Sequence, residues 1–257
     1  MIGFSLRAAL SLCPSLAHAS PESDLASASA ALAAGDLSGA EAGYRAILAS
    51  GPMDADVYYD LGNVLYRGGK LAPAILAWRR AEALSPRDPD VQANLDFARR
   101  GLVDRLDTPR GSPAFAPWQI ALTPGEGRWL GAGLSGLALL VLGVRALGAR
   151  MFGGTGSRLQ LPVAPAVGVL VIGLVVQAGA VASAREPAIA VILPTEVTAT
   201  SDLGGGVDLF TLHAGAEVRL VERAAGHALV QLPDGRKGWL AEESVGVADP
   251  YAPFPVL

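Results

Sequence analysis

Cysteine is nearly missing from this chain, which has a single one, Cys13, among its 257 residues. One cysteine near the N-terminus excludes internal disulfides, metal sites built from several cysteines, and a cysteine nucleophile in the rest of the chain. Histidine is also scarce, and His213 and His227 have no companion ligands at metal-binding spacing, so we predict no metal site or cofactor. Charge is low and nearly balanced at a net -4, so nothing favours nucleic acid as a partner.

Charge is absent altogether from Leu161 to Ala184, where Gln177 is the only strongly polar residue. An uncharged run of this length spans the roughly 30 Å hydrocarbon layer of a bilayer as a helix. A shorter apolar run precedes it, and we predict two transmembrane helices at residues 128–149 and 159–185. The alternative is a pair of buried helices in one soluble domain, although such helices rarely lack a polar stripe.

Arginines predict the orientation of this transmembrane hairpin. Arg145, Arg150 and Arg158 lie in or beside the turn at residues 150–158, which contains no acidic residue. The positive-inside rule places that turn in the cytoplasm and both flanking modules on the other side of the membrane, although Arg128 and Arg185 reduce the contrast.

The N-terminal residues 1–19 have the order of a secretory signal peptide. Arg7 precedes an apolar run, and Ala17-His18-Ala19 forms an A-x-A cleavage site. Acylation at Cys13 is disfavoured because Leu12 before it is not small. Whether the leader is cleaved or kept as an anchor, the following module is exported.

Residues 20–108 predict an all-α module of tetratricopeptide hairpins. From Ala55 to Asp88, the large, small and proline positions of a 34-residue repeat are occupied by Tyr58, Leu61, Gly62, Leu65, Gly69, Ala74, Trp78, Ala81 and Pro86. Pro21 to Asp54 matches as a degenerate first repeat, and the segment after Asp88 as a closing half-repeat. Gly62 and Ala74 are expected to let the paired helices approach closely.

The concave face of such an array predicts a peptide-binding groove. Its lining on the repeat alignment is Tyr59, Asn63, Tyr66 and Arg67, with Ala93, Asn94 and Phe97 from the capping helix. Two of these, Asn63 and Asn94, coincide with positions that hold a ligand's backbone or terminal carboxylate in peptide-clamping members of the superfamily. The other clamp positions are not lysines, which favours general peptide or domain docking. Alternatively, Asn63 only satisfies neighbouring backbone groups.

Between the helical module and the hairpin, residues 109–127 are rich in proline and glycine and predict an extended linker. Trp118 and Trp129 are candidates for the interfacial aromatic belt. The motif Gly131-Ala-Gly-Leu-Ser-Gly136 fits the dinucleotide pattern G-x-G-x-x-G, but it lies inside an apolar span rather than after a strand. We therefore interpret its glycines, with Gly168, Gly173 and Gly179 of the second span, as helix-contact residues.

Short alternating runs at residues 187–249, followed by a tail at 250–257, predict a small all-β barrel. The strand-like segments are Ala190–Ala199, Leu209–Phe210, Glu217–Glu222, His227–Leu232 and Arg236–Leu240. Pro233-Asp234-Gly235 predicts a turn between the last two.

The run from Thr211 to Leu240, with Gly238-Trp239-Leu240 after the turn, resembles a bacterial SH3-like domain. In that family, aromatic residues near the loop clefts bind peptides or cell-wall stems, which makes Phe210, His213 and Trp239 the candidates here. Core packing is the alternative for Phe210 and Trp239.

The order of leader, repeats, linker, two spans and barrel, with the stretch from Asp60 to Arg100, resembles BatE-type proteins of the bacterial aerotolerance operon group. The resemblance implies a multidomain protein of the bacterial cytoplasmic (inner) membrane with both soluble modules periplasmic. It also implies work beside a MoxR-type ATPase and von Willebrand factor A domain proteins. The prediction is a non-enzymatic scaffold, since no catalytic set is evident. The alternative is a cell-wall or peptide sensor whose barrel contacts peptidoglycan.

Overall fold

The computed structural model describes residues 21–50, 53–106, 124–152, 163–183 and 187–255. Over these residues the chain combines a group of helices, two long apolar helices and an antiparallel sheet, as the sequence predicts at this level. The predicted signal peptide and most of the predicted linker and turn lie outside the described residues, and so do Trp118 and Arg158.

Five helices form the N-terminal part: α1 (Pro21–Ala33), α2 (Leu37–Ser50), α3 (Ala55–Arg67), α4 (Leu71–Leu84) and α5 (Pro89–Arg100). They pack in the order of the chain, α1 on α2, α2 on α3, α3 on α4 and α4 on α5. Aspartates begin two of them: Asp54 accepts from the backbone N–H of Asp56, and Asp88 from those of Asp90 and Val91. These caps satisfy N–H groups that the first helical turn leaves without partners.

The close approach of α3 and α4 that the sequence predicts is confirmed. A Cβ atom added at Gly62 would lie 2.4 Å from the Trp78 indole nitrogen, and Ala74 is fully buried. Every residue of α4 from Ala72 to Ala81 is buried, so this helix is covered on all sides. It is the centre of the helical part.

Two longer helices, α6 (Pro124–Phe152) and α7 (Val163–Ser183), pack against each other as an antiparallel pair. Within them, Gly125–Leu147 and Val163–Val181 are long and apolar enough to cross a membrane, and only 11% and 22% of their most apolar windows are buried. That exposure disfavours the alternative of two core helices in a soluble domain and indicates insertion into a membrane. Trp129, the remaining candidate for the aromatic belt, lies near the start of α6 and is 83% exposed.

Two of the predicted contact glycines, Gly131 and Gly173, lie between these two helices, whereas the prediction is wrong for Gly133, Gly136 and Gly168, where an added Cβ would meet nothing within 4 Å. The backbones of Gly131 and Gly173 approach so closely that an added Cβ on Gly131 would lie 2.7 Å from the carbonyl oxygen of Gly173. Because Gly131 lies seven residues after the start of α6, the G-x-G-x-x-G motif does not form a phosphate-binding turn.

Seven strands form the sheet: β1 (Ile189–Ile192), β2 (Glu196–Asp202), β3 (Gly205–His213), β4 (Glu217–Ala224), β5 (His227–Gln231), β6 (Lys237–Ala241) and β7 (Val245–Val247). All neighbours are antiparallel, and the order β3-β2-β6-β5-β4-β1-β7 leaves β3 and β7 at the edges of an open sheet. The sheet is therefore as predicted in being all antiparallel, but these seven strands do not confirm the predicted closure into a barrel. The turn at Pro233–Gly235 is present, with Gly235 at a φ of 90°. The prediction of one strand over Ala190–Ala199 is wrong, since the chain leaves the sheet around Pro194, which has no N–H to donate.

The sheet packs directly against the helical part, chiefly on α4. Val191 and Leu193 belong to the same buried cluster as the helical core, while the inner sheet residues form a second cluster. Backbone approaches at this junction are close: an added Cβ at Gly246 would lie 2.6 Å from Leu76, and one at Gly215 would lie 2.6 Å from Leu102. The sequence does not predict this junction, which joins the parts before and after the apolar hairpin.

Candidate functional site

The α3 residues predicted to line a groove follow one another at helical spacing. Tyr59, Asn63, Tyr66 and Arg67 recur every one to four residues and lie on one side of α3. Tyr59 and Asn63 are half-buried, while Tyr66 and Arg67 are exposed. The side of α3 that carries them therefore remains open to solvent at its C-terminal end.

Asn63 and Asn94 are joined by a direct hydrogen bond. The Trp78 indole N–H donates to Asn63 Oδ1 over 3.3 Å, and Asn94 Nδ2 donates to the same oxygen over 2.9 Å. An indole N–H can only donate, so the atom facing it must be the oxygen of Asn63. The partners of Asn63 are thus side chains, and the alternative that it satisfies neighbouring backbone groups does not describe its position.

This arrangement fixes both amide groups. Among the described residues, no hydrogen bond uses Asn63 Nδ2 or Asn94 Oδ1. One is a donor and the other an acceptor, and this pair complements the C=O and N–H groups of a peptide backbone. Both amides are half-buried, so a ligand would reach them in a partly dehydrated setting.

Aromatic rings continue the same surface from the interior outward. Tyr66 lies 5.7 Å from the buried Trp78 ring and 6.0 Å from Phe97 in an edge-to-face arrangement, measured between ring centroids. Phe97, on α5, is 55% exposed, and the Arg100 guanidinium carbon lies 5.6 Å from its ring centroid. We call Tyr66, Phe97, Asn63 and Asn94 the aromatic groove. Aromatic and arginine side chains on a rigid helical surface are the residue types that dominate protein interfaces.

The remaining groove candidates are peripheral. Ala93, on α5, is exposed beside Asn94, and Arg67 is exposed beside Tyr66. Tyr59 packs partly against the helical core. Its neighbour Asp60 accepts a hydrogen bond from the Tyr44 hydroxyl, and burial, with Asp56 nearby, raises the pKa of Asp60 above its usual value.

The three candidates on the sheet have different neighbours and are not joined by any described contact. Phe210 packs on the second core cluster, against Gly238, with the Arg236 guanidinium carbon 5.2 Å from its ring centroid. Trp239 is half-buried, and alternation along β6 directs it away from Gly238 and Leu240. The alternative of core packing therefore describes Phe210 better than Trp239.

His213 lies at the junction between sheet and helices. Its backbone N–H donates to an Asp104 carboxylate oxygen over 2.6 Å, and its ring nitrogen Nδ1 lies 3.2 Å from the same oxygen. Asp104 follows α5, so this contact ties the end of β3 to the helical part. In the described part of the chain, no group of three or more His, Cys, Asp or Glu residues is arranged to hold a metal ion.

Sequence reasoning missed an ion network at the same junction. Glu217, on β4 and 3% exposed, accepts hydrogen bonds from Arg79 of α4 and Arg99 of α5. Burial opposes ionisation of Glu217, but the two arginines outweigh it and lower its pKa. Arg79 is buried as well, and Glu217 with Glu82 raises its pKa despite that burial. The available signal was the pair Arg79-Arg80, which interrupts an apolar run that extends from Leu71 to Trp78 in α4.

Comparison with known proteins identifies no relative: no family model, curated protein or solved structure matches the chain. The functional argument therefore depends on the chemistry of the groove and on the position of the two apolar helices.

Proposed function

We propose that the protein is a non-enzymatic scaffold of the bacterial cytoplasmic membrane that docks protein partners through the aromatic groove. In this proposal the five helices are tetratricopeptide hairpins, the sheet is an SH3-like domain, and the chain is a BatE-type protein. Its partners are then von Willebrand factor A domain proteins of the envelope, working with a MoxR-type ATPase. The sequence order and the repeat motif quoted above support this assignment.

The observation that carries the proposal is the exposed aromatic groove. Phe97 and Tyr66 present their rings to solvent, while the Asn63–Asn94 pair beside them offers one donor and one acceptor. Large rings that stay exposed on a rigid surface lose hydration at little entropic cost when a partner covers them. The groove thus combines apolar anchors with groups that read a peptide backbone.

Orientation of the hairpin supports an extracytoplasmic site. Arg150 lies in the last turn of α6, and Arg145 lies one to two helical turns before it, so this end of the hairpin carries positive charge. The positive-inside rule then places the turn in the cytoplasm and the groove in the periplasm.

Photo-crosslinking in living cells tests the proposal. A photoreactive amino acid at Phe97 in the full chain is expected to capture an envelope protein with a von Willebrand factor A domain, identified by mass spectrometry. Tyr66→Ala should reduce that product at least about tenfold, because interface aromatics typically contribute 2 kcal/mol or more, a factor of roughly 30.

Val103 supplies the matched control, since it is 74% exposed on the same part of the chain but outside the groove. A photoreactive residue at Val103 should not give the product, and Val103→Ala should leave the yield at Phe97 unchanged. Capture that survives Tyr66→Ala together with Asn63→Ala would contradict docking in the groove.

A second candidate function is a cell-wall sensor, favoured by one observation. Trp239 is half-buried and faces away from the inner sheet residues Gly238 and Leu240. An aromatic ring in that position can stack on a sugar or a stem peptide. Sedimentation of the full chain with purified peptidoglycan tests this, and equal recovery of wild type and Trp239→Ala would reject wall binding through that ring.

A further inference from the structure

The segment after the sheet is held against the helices by its own backbone carbonyls. Of the predicted tail at residues 250–257, the structure describes Pro250–Pro255, and we use the word tail for these six residues from here on. The Tyr58 hydroxyl donates to the Pro250 carbonyl over 2.6 Å. Arg80 donates to the carbonyls of Ala252 and Pro253, over 2.8 and 3.1 Å. At the far end, Arg45 donates to the carbonyl of Pro255 over 3.1 Å.

Phe254 supplies the side-chain contact of the tail. The guanidinium carbons of Arg45 and Arg80 lie 4.6 and 4.9 Å from its ring centroid, within the range of cation–π attraction. The ring also packs against the helical core and is half-buried. By contrast, Tyr251 in the same segment is 76% exposed. The helices therefore recognise one ring and a series of carbonyls.

Arg80 is the centre of this contact. It is 1% exposed, and among the described residues it forms no salt bridge, so its donors are directed at carbonyls, including that of Val247. Burial lowers the pKa of Arg80 below its usual value. The favourable charge of Asp249 acts on Arg80 only from beyond salt-bridge distance. A buried guanidinium in that position is costly unless its donors find acceptors. Removing the tail would leave the Val247 carbonyl as the only described backbone acceptor of Arg80, with the Tyr58 ring beside it.

The composition of the tail matches this receptor. Three of its six residues are proline, Pro250, Pro253 and Pro255, and proline has no backbone N–H. Residues 250–252 form a turn in which the Ala252 N–H donates to the Asp249 carbonyl, and residues 253–255 continue without a turn. A proline-rich segment of this kind loses little entropy on binding and presents carbonyls with few competing donors. The helical surface that holds the tail supplies the matching hydrogen-bond donors, which come from two arginines and a tyrosine hydroxyl.

We propose that the surface formed by Arg45, Tyr58 and Arg80 is a binding site for proline-rich peptides with one aromatic ring, and that the tail fills it as an intramolecular ligand. This site is separate from the aromatic groove, because Tyr58 and Tyr59 point about 100° apart around the axis of α3. The inference does not depend on the proposed scaffold function. A second peptide of this class can enter only when the tail leaves.

Exchange of the tail with a free peptide tests the proposal. The full chain, purified in detergent, is mixed with a fluorescein-labelled peptide of residues 249–257, and binding is followed by fluorescence anisotropy. The tail of the wild-type chain occupies the site, so the peptide should bind weakly. A full chain with Phe254→Ala, whose own tail is held less tightly, should bind the unchanged peptide at least about tenfold more tightly.

Changes in the peptide provide the matched comparison, because they cannot affect folding of the chain. Peptide with Phe254→Ala should lose at least about tenfold in affinity for the Phe254→Ala chain. Peptide with Tyr251→Ala should bind as well as the unchanged one, since Tyr251 is exposed in the bound tail.

Changes in the receptor complete the test. Adding Arg45→Ala to the Phe254→Ala chain should abolish peptide binding, and Arg45 is the residue of choice because it is less buried than Arg80. Equal affinity of the wild-type and Phe254→Ala chains would overturn the proposal. The proposal would also be overturned if the peptide still bound the Arg45→Ala variant, or if the Phe254→Ala peptide bound as tightly as the unchanged peptide.

Discussion

Glu217 holds the sheet to the helices with one carboxylate that serves two arginines from two different helices. A buried ion pair is weak evidence for stability as a whole, because desolvation of the charges offsets most of their attraction. Removing the charge of Glu217 is different, since it leaves the two arginines charged at a buried junction without that partner. The stability of the junction should therefore be sensitive to replacement of one carboxylate oxygen of Glu217 by an amide nitrogen.

Glu217→Gln is expected to lower the free energy of unfolding by about 3 kcal/mol, the lower end for breaking a buried pair, because Arg79 keeps Glu82 as a partner. Urea unfolding of the full chain in detergent, followed by near-ultraviolet circular dichroism, measures the change. Glu222→Gln is the control on the same strand, where the side chain is exposed and the change should stay within about 0.5 kcal/mol. Similar losses in the two variants would contradict a special role for the junction.

Acid should remove the same stabilisation in the wild-type chain. The folded-state pKa of Glu217 lies below its ordinary value of 4.5, so ionised Glu217 stabilises the fold above that value. As the pH falls through the folded-state pKa, the carboxylate takes up a proton and the contribution is lost. The difference in unfolding midpoint between wild type and Glu217→Gln should be largest near neutral pH and shrink as the pH falls below 4.5 and through the folded-state pKa. A difference independent of pH would argue against a charge effect.

Replacing Gly62 with alanine would have two opposite effects on stability, a gain in helix propensity and a steric clash. Replacing glycine with alanine inside a helix gains up to about 1 kcal/mol of helix propensity. Here the new methyl would lie 2.4 Å from the Trp78 indole nitrogen, and the indole is buried and hydrogen-bonded to Asn63. Gly62→Ala should therefore destabilise the chain by roughly 1–2 kcal/mol net in the same urea experiment, since overpacking exceeds the propensity gain. Gly68→Ala, which meets only ordinary contacts at the end of α3, should not.

At the scale of elements, α6 and α7 depend on small residues in register. Gly127 faces Ala180, and Gly131 faces Gly173, so the closest contacts follow one side of each helix. Membrane helices pack through such surfaces because lipid supplies no hydrophobic drive to bring them together. The opposite glycine, Gly133, meets nothing within 4 Å.

This difference predicts the outcome of a disulfide experiment. In a Cys13→Ser background, the pair Gly127→Cys and Ala180→Cys should oxidise to an intramolecular disulfide, since an added Cβ on Gly127 lies 3.1 Å from that of Ala180. Adding Gly131→Leu should separate the helices and reduce the yield several-fold, whereas Gly133→Leu should leave it unchanged. The yield is measured as a mobility shift on non-reducing gels. Equal effects of the two leucines would contradict the predicted packing.

Individual elements differ in how far the sequence predicts them. The boundaries of α3 and α4 follow from the repeat spacing and from caps such as Asp54, which are local signals. The break around Pro194 and the short strand β7 were missed, because two adjacent strands without a turn motif look like one, and three residues carry no detectable period. The strands with which β1 and β7 pair are distant in the sequence, so the local residue pattern does not reveal them.

The candidate site divides in the same way. Repeat spacing placed Asn63 and Asn94 near each other, since both positions belong to helices that pack in sequence. It did not predict the separation of Phe210, His213 and Trp239, nor the partners of Glu217, because strand register and the packing of sheet on helices decide those contacts. In the described part of the chain, the sequence predicts contacts between helices that follow one another, but not contacts between the helices and the sheet.

At the scale of the whole molecule, the shared core constrains membrane topology. Val191 and Leu193, after the hairpin, belong to the same buried cluster as the helices that precede it. Two parts with a common core lie in one compartment, so the chain between them crosses the membrane an even number of times. The antiparallel pair α6 and α7 satisfies this parity, and it does so independently of any charge rule.

Labelling with a membrane-impermeant maleimide separates parity from orientation. In a Cys13→Ser background of cells with the outer membrane removed, Ser27→Cys in α1 and Ser201→Cys in β2 are both exposed positions and should react to the same extent. Ser157→Cys, in the predicted cytoplasmic turn, should react only after the membrane is permeabilised. Reaction at Ser157 alone would reverse the proposed orientation but keep the fold. Reaction at only one of the two soluble positions would contradict the shared core itself, because no orientation of the hairpin places Ser27 and Ser201 on opposite sides while the helices and sheet remain packed together.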